Sequence, residues 1–333
     1  MTAQSNKMTS VRKWLCVLLL ICWIPAHADT TEAKITILST MVASYLGVGE
    51  WGFAALIETP DKSILFDTGL KSETVLTNAR LLNIDLSKVE EVVLSHFHTD
   101  HTGGLLSLRE AYKKENPNAL STVYVGKGFF TQRFDVNHTP VYSLPNPGFT
   151  QSFSTPEGFR SAAEAKGIRF IVVESTRELA PGVFLTGPIT RIHPEKNVSP
   201  GFFLKSGDQY IADTVPESQV IGIDTDQGWL LISGCGHAGI INASEQLLQI
   251  KNQPIHMGVG GFHLFQANAE TILWTASKLK KFGYQKIVGA HCTGAHATHE
   301  LGDYLDLPKS SVSIGAIGTS VDSALVIHPA SID

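Results

Sequence analysis

The sequence predicts an α/β fold built as a four-layer αββα sandwich. Short runs rich in Val, Ile and Phe alternate with longer segments whose apolar residues recur at helical spacing. The alternation occurs in two similar halves, and in each half predicted strands end at loops that carry histidine. Two sheets packed face to face, each covered by helices on its outer side, would bury all of these apolar faces. The histidine-bearing loops then lie along one edge of the sheets.

Residues 1–28 have the pattern of a secretory signal peptide. Arg12 and Lys13 precede an apolar run of 11 residues (14–24), and Ala-His-Ala at 26–28 provides the small-x-small end at which such peptides are cleaved. An uncleaved anchor is the alternative, but a membrane-spanning helix needs about 20 apolar residues. We therefore expect export, to a bacterial periplasm, with no stable membrane span after cleavage and a single domain at 29–333.

The charge of the mature chain excludes two classes of partner. Cleavage removes Lys7, Arg12 and Lys13 and leaves 23 basic against 31 acidic side chains, a net charge of −8. A surface of this sign does not favour nucleic acid or an anionic membrane. We expect a small-molecule substrate instead.

The first half begins with three predicted strands. Residues 35–42, 53–58 and 63–66 have strand-like composition, and a helix is predicted over 72–82. Asp67 ends the third strand and starts Asp-Thr-Gly, a turn that can cap the following helix.

A dense motif, Ser-His-Phe-His-Thr-Asp-His-Thr-Gly-Gly, follows the strand predicted at 89–94. His96 and His98 can project to the same side of an extended segment, so one metal can hold both. Asp100 and His101 follow too closely to share that geometry and are predicted to face a second metal. A single histidine is usually a satisfied core residue, but four such groups within six residues indicate a metal site.

The donor set limits the metal. Neutral imidazole and carboxylate suit Zn, Mn or Fe, and the motif contains no thiolate of the kind that closes structural zinc sites. The site should therefore be open to substrate.

A long segment at 129–158 shows little periodicity and is rich in Pro and aromatic residues. Loops of this length are usually functional or disordered. Either a cap insertion that overhangs the site or a surface excursion packed on itself fits the pattern. A short helix is predicted at 161–166, a strand at 169–173, and an irregular stretch at 189–213.

The second half repeats the pattern. The strand predicted at 228–233 ends at Gly-Cys-Gly-His, which places His237 on a strand-to-helix turn like His98. The N–H groups that begin the next helix (240–251) are a natural site for a substrate phosphate or carboxylate.

Two further strands end at candidate site residues. His263 follows the strand at 255–260 and can be a ligand, a substrate-binding group or a general acid, of which we favour substrate binding. A helix at 269–282 precedes the strand at 287–290, which leads to His291. The tail at 312–321 is predicted to be a closing strand with Gly315 and Gly318 at turns.

Only two cysteines, Cys235 and Cys292, remain in the mature chain. In an exported protein they can form a disulfide. Because both lie beside candidate ligands, we favour free thiols at the site.

These motifs resemble the metallo-β-lactamase superfamily. The resemblance is carried by Ile-Leu-Phe-Asp-Thr-Gly at 64–69 and the histidine motif at 95–104. More narrowly, the segments 233–239, 260–264 and 291–294 resemble the branch that contains dihydropterin ribofuranosyl-aminobenzene phosphate synthase-like proteins. The similarity covers most of residues 35–320 and says little about substrate.

The resemblance implies a site as well as the metallo-β-lactamase fold. One cation would be held by His96, His98 and His237, and a second by Asp100, His101 and His291. Asp67 would orient the histidine motif without binding a metal itself. Cys235 and Cys292 would likewise lie beside the ligands and not bind a metal. Two departures from the family pattern stand out.

The first departure is at 186–189, where Thr-Gly-Pro-Ile replaces the usual Gly-His-Thr turn, and His193 is a weak substitute. The second departure is that no aspartate stands where the family has one that bridges the two metals. Either Cys235 or a carboxylate from elsewhere, such as Asp213 or Asp224, would have to replace it.

The predicted function is that of an exported metal-dependent hydrolase. Two divalent cations, Zn with Mn or Fe as alternatives, would activate water for attack on an ester, phosphodiester or lactone. Asp100 is the catalytic candidate, because it can orient that water as well as ligate. The alternatives are a synthase or transferase of the dihydropterin type, and a non-catalytic metal-dependent ligand-sensing module.

Overall fold

The computed structural model describes residues 1–2, 32–141, 155–195, 197–198 and 200–330. Nearly all of the predicted signal peptide, and the part of the predicted cap at 142–154, lie outside these residues. The strands are β1 (Lys34–Ser39), β2 (Ala54–Glu58), β3 (Ser63–Phe66), β4 (Glu91–Leu94), β5 (Thr122–Gly126), β6 (Arg133–Phe134), β7 (Pro140–Val141), β8 (Arg169–Val173), β9 (Arg177–Ala180), β10 (Val183–Leu185), β11 (Phe203–Ser206), β12 (Gln209–Ala212), β13 (Ile221–Thr225), β14 (Gly228–Ser233), β15 (Ile255–Gly260), β16 (Lys286–Gly289), β17 (Val312–Ile314), β18 (Ser320–Asp322) and β19 (Ile327–His328). The helices are α1 (Thr74–Leu81), α2 (Thr99–Thr102), α3 (Leu105–Tyr112), α4 (Pro156–Ala165), α5 (Ile240–Ile250), α6 (Ala269–Phe282) and α7 (Ala295–Tyr304).

Two large sheets form the centre of the fold. The first has the strand order β19-β18-β1-β2-β3-β4-β5-β8, and the second has the order β17-β16-β15-β14-β13-β10-β9. One apolar core, which includes Phe53, Phe66 and Ile232, lies between them. Separate cores join the first sheet to α1, α3 and α4, and the second sheet to α5, α6 and α7. This arrangement confirms the predicted αββα sandwich.

Side-chain alternation explains why both faces of the strands are apolar. In β2, Ala55 and Ile57 lie in the core between the sheets, while Leu56 packs toward the helices. All three are at most 2% exposed. A strand buried on both faces has a continuous apolar run instead of alternation.

Helix α6 matches its predicted bounds because both ends carry strong local signals. The Asn268 side chain accepts a hydrogen bond from the Thr271 N–H, and Gly283 ends the helix at φ 93°.

The closing strand predicted at 312–321 is two strands that belong to different sheets. β17 pairs with β16 in the second sheet, whereas β18 pairs with β1 in the first. A turn that contains Gly318 at φ 89° separates the two strands, so the chain crosses from one sheet to the other.

A third, small sheet was not predicted. It has the order β12-β11-β6-β7 and joins the predicted cap to the stretch at 189–213 that was expected to be irregular. Its strands are only two to four residues long, too short for a periodic signal in the sequence.

The candidate site lies at the carboxyl ends of parallel strands. β3 and β4 are parallel neighbours in the first sheet, and β14, β15 and β16 are parallel neighbours in the second. Carboxyl ends of adjacent parallel strands meet at the same edge of a sheet. The loops that carry Asp67, His96, His237, His263 and His291 therefore converge.

Candidate metal centre

Three imidazoles converge on one point. The His96 Nε2 and His98 Nδ1 atoms are 3.0 Å apart, and the His237 Nε2 and His98 Nδ1 atoms are 3.2 Å apart. Two imidazole ligands of one tetrahedral zinc ion place their nitrogens about 3.3 Å apart. The spacing of these three residues fits a single cation.

Hydrogen bonds fix two of these rings from behind. The Ser95 hydroxyl donates to Asp67, and its Oγ can accept a hydrogen bond from the His96 Nδ1–H at 2.9 Å. The Asn197 carbonyl accepts from the His237 Nδ1 at 2.7 Å. Each contact leaves the Nε2 atom facing the other imidazoles, which is the usual arrangement behind a metal-binding histidine.

The second predicted group also comes together. The Asp100 Oδ2 atom lies 3.3 Å from the His291 Nε2 and 3.7 Å from the His101 Nε2. All three side chains are buried, and α2 places Asp100 and His101 in its single turn. The motif therefore divides as predicted, with its extended part facing one position and its helical part facing the other.

Asp67 does not cap a helix, so that interpretation of the Asp-Thr-Gly turn is wrong. The residue before α1 is Glu73, and no side chain caps the helix there. Instead Asp67 accepts hydrogen bonds from the Ser95 N–H and hydroxyl, each at 2.7 Å. Its Oδ2 also accepts from the His101 Nδ1 at 2.7 Å.

Orphaned polar atoms test whether these residues fit a cation. In the part of the chain that the structure describes, the buried Asp100 Oδ1 and His101 Nε2 have no hydrogen-bond partner. Leaving a buried polar atom unpaired costs about 1–3 kcal/mol. A divalent cation would satisfy both, so the residues present fit such an ion.

The electrostatics favour ligation by the three imidazoles of the first group. Burial, reinforced by neighbouring histidines, lowers the pKa of His96 and of His237 well below the usual range, and burial lowers the pKa of His98 to about 4. All three are neutral at pH 7 and have a lone pair to offer. Burial opposes ionisation of Asp100, but the charges of His101 and His291 outweigh it and lower its pKa.

The two cysteines lie inside this region as free thiols. Their Sγ atoms are 3.0 Å apart, whereas a disulfide requires about 2.05 Å. The Cys235 Sγ also lies 3.3 Å from the His263 Nδ1 and 3.7 Å from the His291 Nε2. Cys235 is therefore a candidate ligand itself, whereas the family resemblance implied a place outside the ligand set.

His263 lies on the wall of the site. Its ring centroid is 4.5 Å from that of His237. Both His263 and His291 have left-handed backbones, with φ 52° and 45°. Such conformations cost about 1–3 kcal/mol each and cluster at functional sites.

A cleft of about 530 Å³ opens over these groups. Its walls are largely apolar. Trp51 and Phe265 lie on one side, with ring centroids 5.1 Å apart, and the Trp51 ring also packs edge-on against His291 at 5.2 Å. The remaining apolar lining residues are Val198, Phe202 and Val215.

A buried ion-pair network that the sequence did not reveal holds the motif against the third sheet. The Arg133 guanidinium donates to the Asp213 and Glu217 carboxylates, and Glu217 accepts from the Phe97 N–H at 3.1 Å. Phe97 lies between His96 and His98. The base of the predicted cap is thus connected to the motif itself.

Four alternatives that the sequence left open do not hold in the structure, and each has a local reason. The predicted anion site at the start of α5 is filled by Glu195, which accepts from the Ile241 and Asn242 N–H groups. The His193 Nε2 faces Glu245 at 3.5 Å, away from the imidazoles.

The two carboxylates considered as a bridge are also engaged elsewhere. Asp213 lines the cleft but pairs with Arg133, and Asp224 pairs with Lys251 at 2.6 Å. His296 and His299 are exposed on α7.

Comparisons with known proteins indicate the family and the fold to which this chain is similar. A family model described as the metallo-beta-lactamase superfamily matches residues 52–204. The 7,8-dihydropterin-6-methyl-4-(β-D-ribofuranosyl)-aminobenzene-5'-phosphate synthase of Methanocaldococcus jannaschii is 31% identical over 271 residues, which cover 78% of this chain and 87% of that protein.

Two solved structures are similar along most of the chain. A metal-dependent hydrolase of the β-lactamase superfamily superposes with a TM-score of 0.66 at 25% identity, covering 87% of this chain and 98% of the other. The metallo-β-lactamase fold protein YhfI from Bacillus subtilis has a TM-score of 0.52 at 14% identity, covering 88% and 100%. The second likeness concerns the fold alone.

Proposed function

Because this chain belongs to the metallo-β-lactamase superfamily, on the branch of the dihydropterin ribofuranosyl-aminobenzene phosphate synthase-like proteins, we propose that it is a metal-dependent hydrolase of small molecules. The proposal places two divalent cations side by side. The first is held by His96, His98 and His237, and the second by Asp100, His101 and His291.

One observation carries the proposal: two groups of imidazole and carboxylate donors converge at ligand spacing beneath an open cleft. The first group has ring nitrogens 3.0 and 3.2 Å apart, and the second contains buried atoms with no partner among the described residues. A purely structural cluster would satisfy its own polar atoms.

The residues have distinct roles in this mechanism. Divalent cations at these positions would polarise the scissile bond and lower the pKa of water. Asp100, whose Oδ1 has no partner among the described residues, can ligate a cation and accept a hydrogen bond that orients the attacking water. His263, on the cleft wall, can donate a proton to the departing oxygen. Asp67 holds His101 in the tautomer whose Nε2 faces the site.

The cleft favours a substrate with an apolar part. Among the described lining residues, the charged side chains are the carboxylates of Asp100 and Asp213, and none is a Lys or Arg. An anionic group would therefore have to bind at the cations, and the remainder of the substrate would lie against Trp51 and Phe265. This supports a carboxylic ester or lactone ahead of a phosphodiester.

The metal and the location complete the proposal. The imidazole, carboxylate and thiol groups favour Zn²⁺, with Mn²⁺ and Fe²⁺ as alternatives. The basic and apolar pattern of residues 1–28 supports export to the periplasm. Within the described residues, no helix has both the length and the apolar character to cross a bilayer.

A second candidate is a synthase reaction, which the 31% identity to the Methanocaldococcus jannaschii enzyme favours. The lack of Lys and Arg in the described cleft lining counts against a phosphorylated substrate, and a periplasmic location would separate the enzyme from cytosolic precursors.

The test is a substrate screen of the purified chain loaded with Zn²⁺ or Mn²⁺. Chromogenic acyl esters, lactones and phosphodiesters are compared for wild type and for His98→Ala, with His299→Ala on the exposed face of α7 as the matched control. We expect turnover that is lost in His98→Ala and retained in His299→Ala. Two bound metals with no turnover of any class would refute hydrolysis and favour ligand sensing.

A further inference from the structure

We propose that Cys235 is itself a metal ligand, with its Sγ shared between the two cation positions. The centre would then be a nitrogen, oxygen and sulfur site, and Cys235 would take the place of the missing bridging carboxylate. This inference rests on the proposed two-metal function and specifies how the two positions are joined.

The distance from Cys235 to the second group fits a common ion. The Cys235 Sγ and His291 Nε2 atoms are 3.7 Å apart. A tetrahedral zinc ion with a thiolate at about 2.3 Å and an imidazole at about 2.05 Å holds the two ligand atoms about 3.6 Å apart. A hydrogen bond between sulfur and nitrogen does not require this spacing.

Cys235 also reaches the first group. Its Sγ and the ring nitrogens of His96 and His101 lie within 4.8 Å of one another, and so do its Sγ and those of His237 and His263. His96 and His237 belong to one cation position, whereas His101 belongs to the other. Cys235 is therefore within reach of both.

Two flanking glycines allow the backbone to bring Cys235 to the cluster. A Cβ on Gly234 would overlap the Ser95 Oγ and the Asp67 Oδ2. Gly236 has φ 68°, a conformation that favours glycine. The end of β14 can pass directly over the motif because neither neighbour of Cys235 has a side chain.

Cys292 lies in a different position although its sulfur is close. Its Sγ lies 3.3 Å from the Cys235 carbonyl oxygen, to which it can donate a hydrogen bond. Among the candidate ligand groups of the described residues, Cys292 occurs only with Cys235 and His291. Cys292 is thus a matched control that tests whether any nearby sulfur would suffice.

The test uses the full chain reconstituted with Co²⁺, whose bonds to thiolate give an intense near-ultraviolet charge-transfer absorption that imidazole and carboxylate do not give. Bound metal is counted by mass spectrometry on the same samples. We expect two Co²⁺ per chain in the wild type, with the sulfur absorption present in the wild type and in Cys292→Ser. It should be absent in Cys235→Ser, and Cys235→Asp should bind two ions without it.

The outcomes separate this inference from the function on which it rests. Two bound Co²⁺ without the sulfur absorption in the wild type would overturn the role of Cys235 and leave the two-metal site intact. Because this result comes from the wild type alone, it does not depend on whether any variant folds. An absorption that survives in Cys235→Ser and disappears in Cys292→Ser would also overturn it. A wild-type chain that retains no Co²⁺ would refute the proposed function, and the ligand assignment with it.

Discussion

The Asp67 Oδ2 atom accepts a hydrogen bond from the His101 Nδ1 at 2.7 Å, and neither side chain is exposed to solvent. The two residues come from different strand ends of the first sheet. Because the same carboxylate also accepts from the Ser95 N–H and hydroxyl, it fixes both halves of the motif. The orientation of the His101 Nε2, the proposed metal-facing atom, therefore depends on a residue that does not face the cleft.

The substitution Asp67→Asn should weaken metal binding without removing a ligand. An amide keeps the shape of the side chain but cannot accept from all three donors. Loss of such an outer contact typically lowers metal affinity 10- to 100-fold. Competition with a chromophoric chelator measures the change. Asp61→Asn, at an exposed turn, is the control, and equal affinities for the two variants would contradict the role of Asp67.

The substitution Arg133→Met should destabilise the fold. It leaves the buried carboxylates of Asp213 and Glu217 without their cation, a change that typically costs about 3–5 kcal/mol. Chemical denaturation measures the free energy of unfolding. The exposed pair of Lys127 and Glu174 provides the control, since Lys127→Met should cost less than about 1 kcal/mol. A similar small cost for both variants would show that the network is not needed.

Glu195 should make stability depend on pH. Burial raises its pKa from 4.5 to about 7, despite the N–H groups of Ile241 and Asn242. The folded state thus holds this proton more tightly than the unfolded state, so the contribution of Glu195 to stability is largest below about pH 4.5 and is lost as pH rises to about 7. The loss is on the order of 2–3 kcal/mol, allowing for partial exposure.

The substitution Glu195→Gln should flatten this dependence. The measurement is the free energy of unfolding from about pH 4.5 to 8, as the difference between wild type and variant, which cancels the other titrating groups. Glu115→Gln, at an exposed position, should leave the slope unchanged. An undiminished slope in Glu195→Gln would exclude Glu195 as its source.

The substitution Trp51→Ala should raise KM more than it lowers kcat. The indole is 39% exposed at the mouth of the cleft and packs against Phe265 and His291. Loss of about 1–2 kcal/mol of apolar contact corresponds to a 5- to 30-fold increase in KM. Tyr45→Ala, on the same loop and 85% exposed, is the control. A fall in kcat at unchanged KM would show that Trp51 acts on the chemistry and not on binding.

Much of the architecture could be predicted because its signals are local. The strands β14 and β15 and the helix α6 have the predicted bounds, since each has an unbroken apolar pattern and clear turn residues at its ends. The spacing of the donors from His96 to His101 predicted that they divide into two groups facing different cation positions, because four donors within six residues can be arranged around a metal in few ways. The ligand roles of these residues remain predictions that the metal measurements test.

Contacts between distant parts of the chain could not be predicted in this way. Arg133 and Glu217 are 84 residues apart, and neither belongs to a motif. Glu195 fills the start of α5 from a segment 46 residues earlier, so a helix end that looked available for substrate is already occupied. The segment from Val312 to Val321 was predicted to be a closing strand with turns at Gly315 and Gly318, but its two ends pair in different sheets.

The sequence alone determined the alternation of strands and helices, the αββα fold class and the histidine-bearing strand ends, because periodicity and short spacing are properties of neighbouring residues. Only the tertiary structure decided that Cys235 lies within reach of both groups of donors, that Asp67 accepts a hydrogen bond from His101 instead of capping a helix, and that Arg133 links the third sheet to the motif. These contacts arise when separate strand ends pack at one sheet edge, and no local pattern records which side chains will meet there.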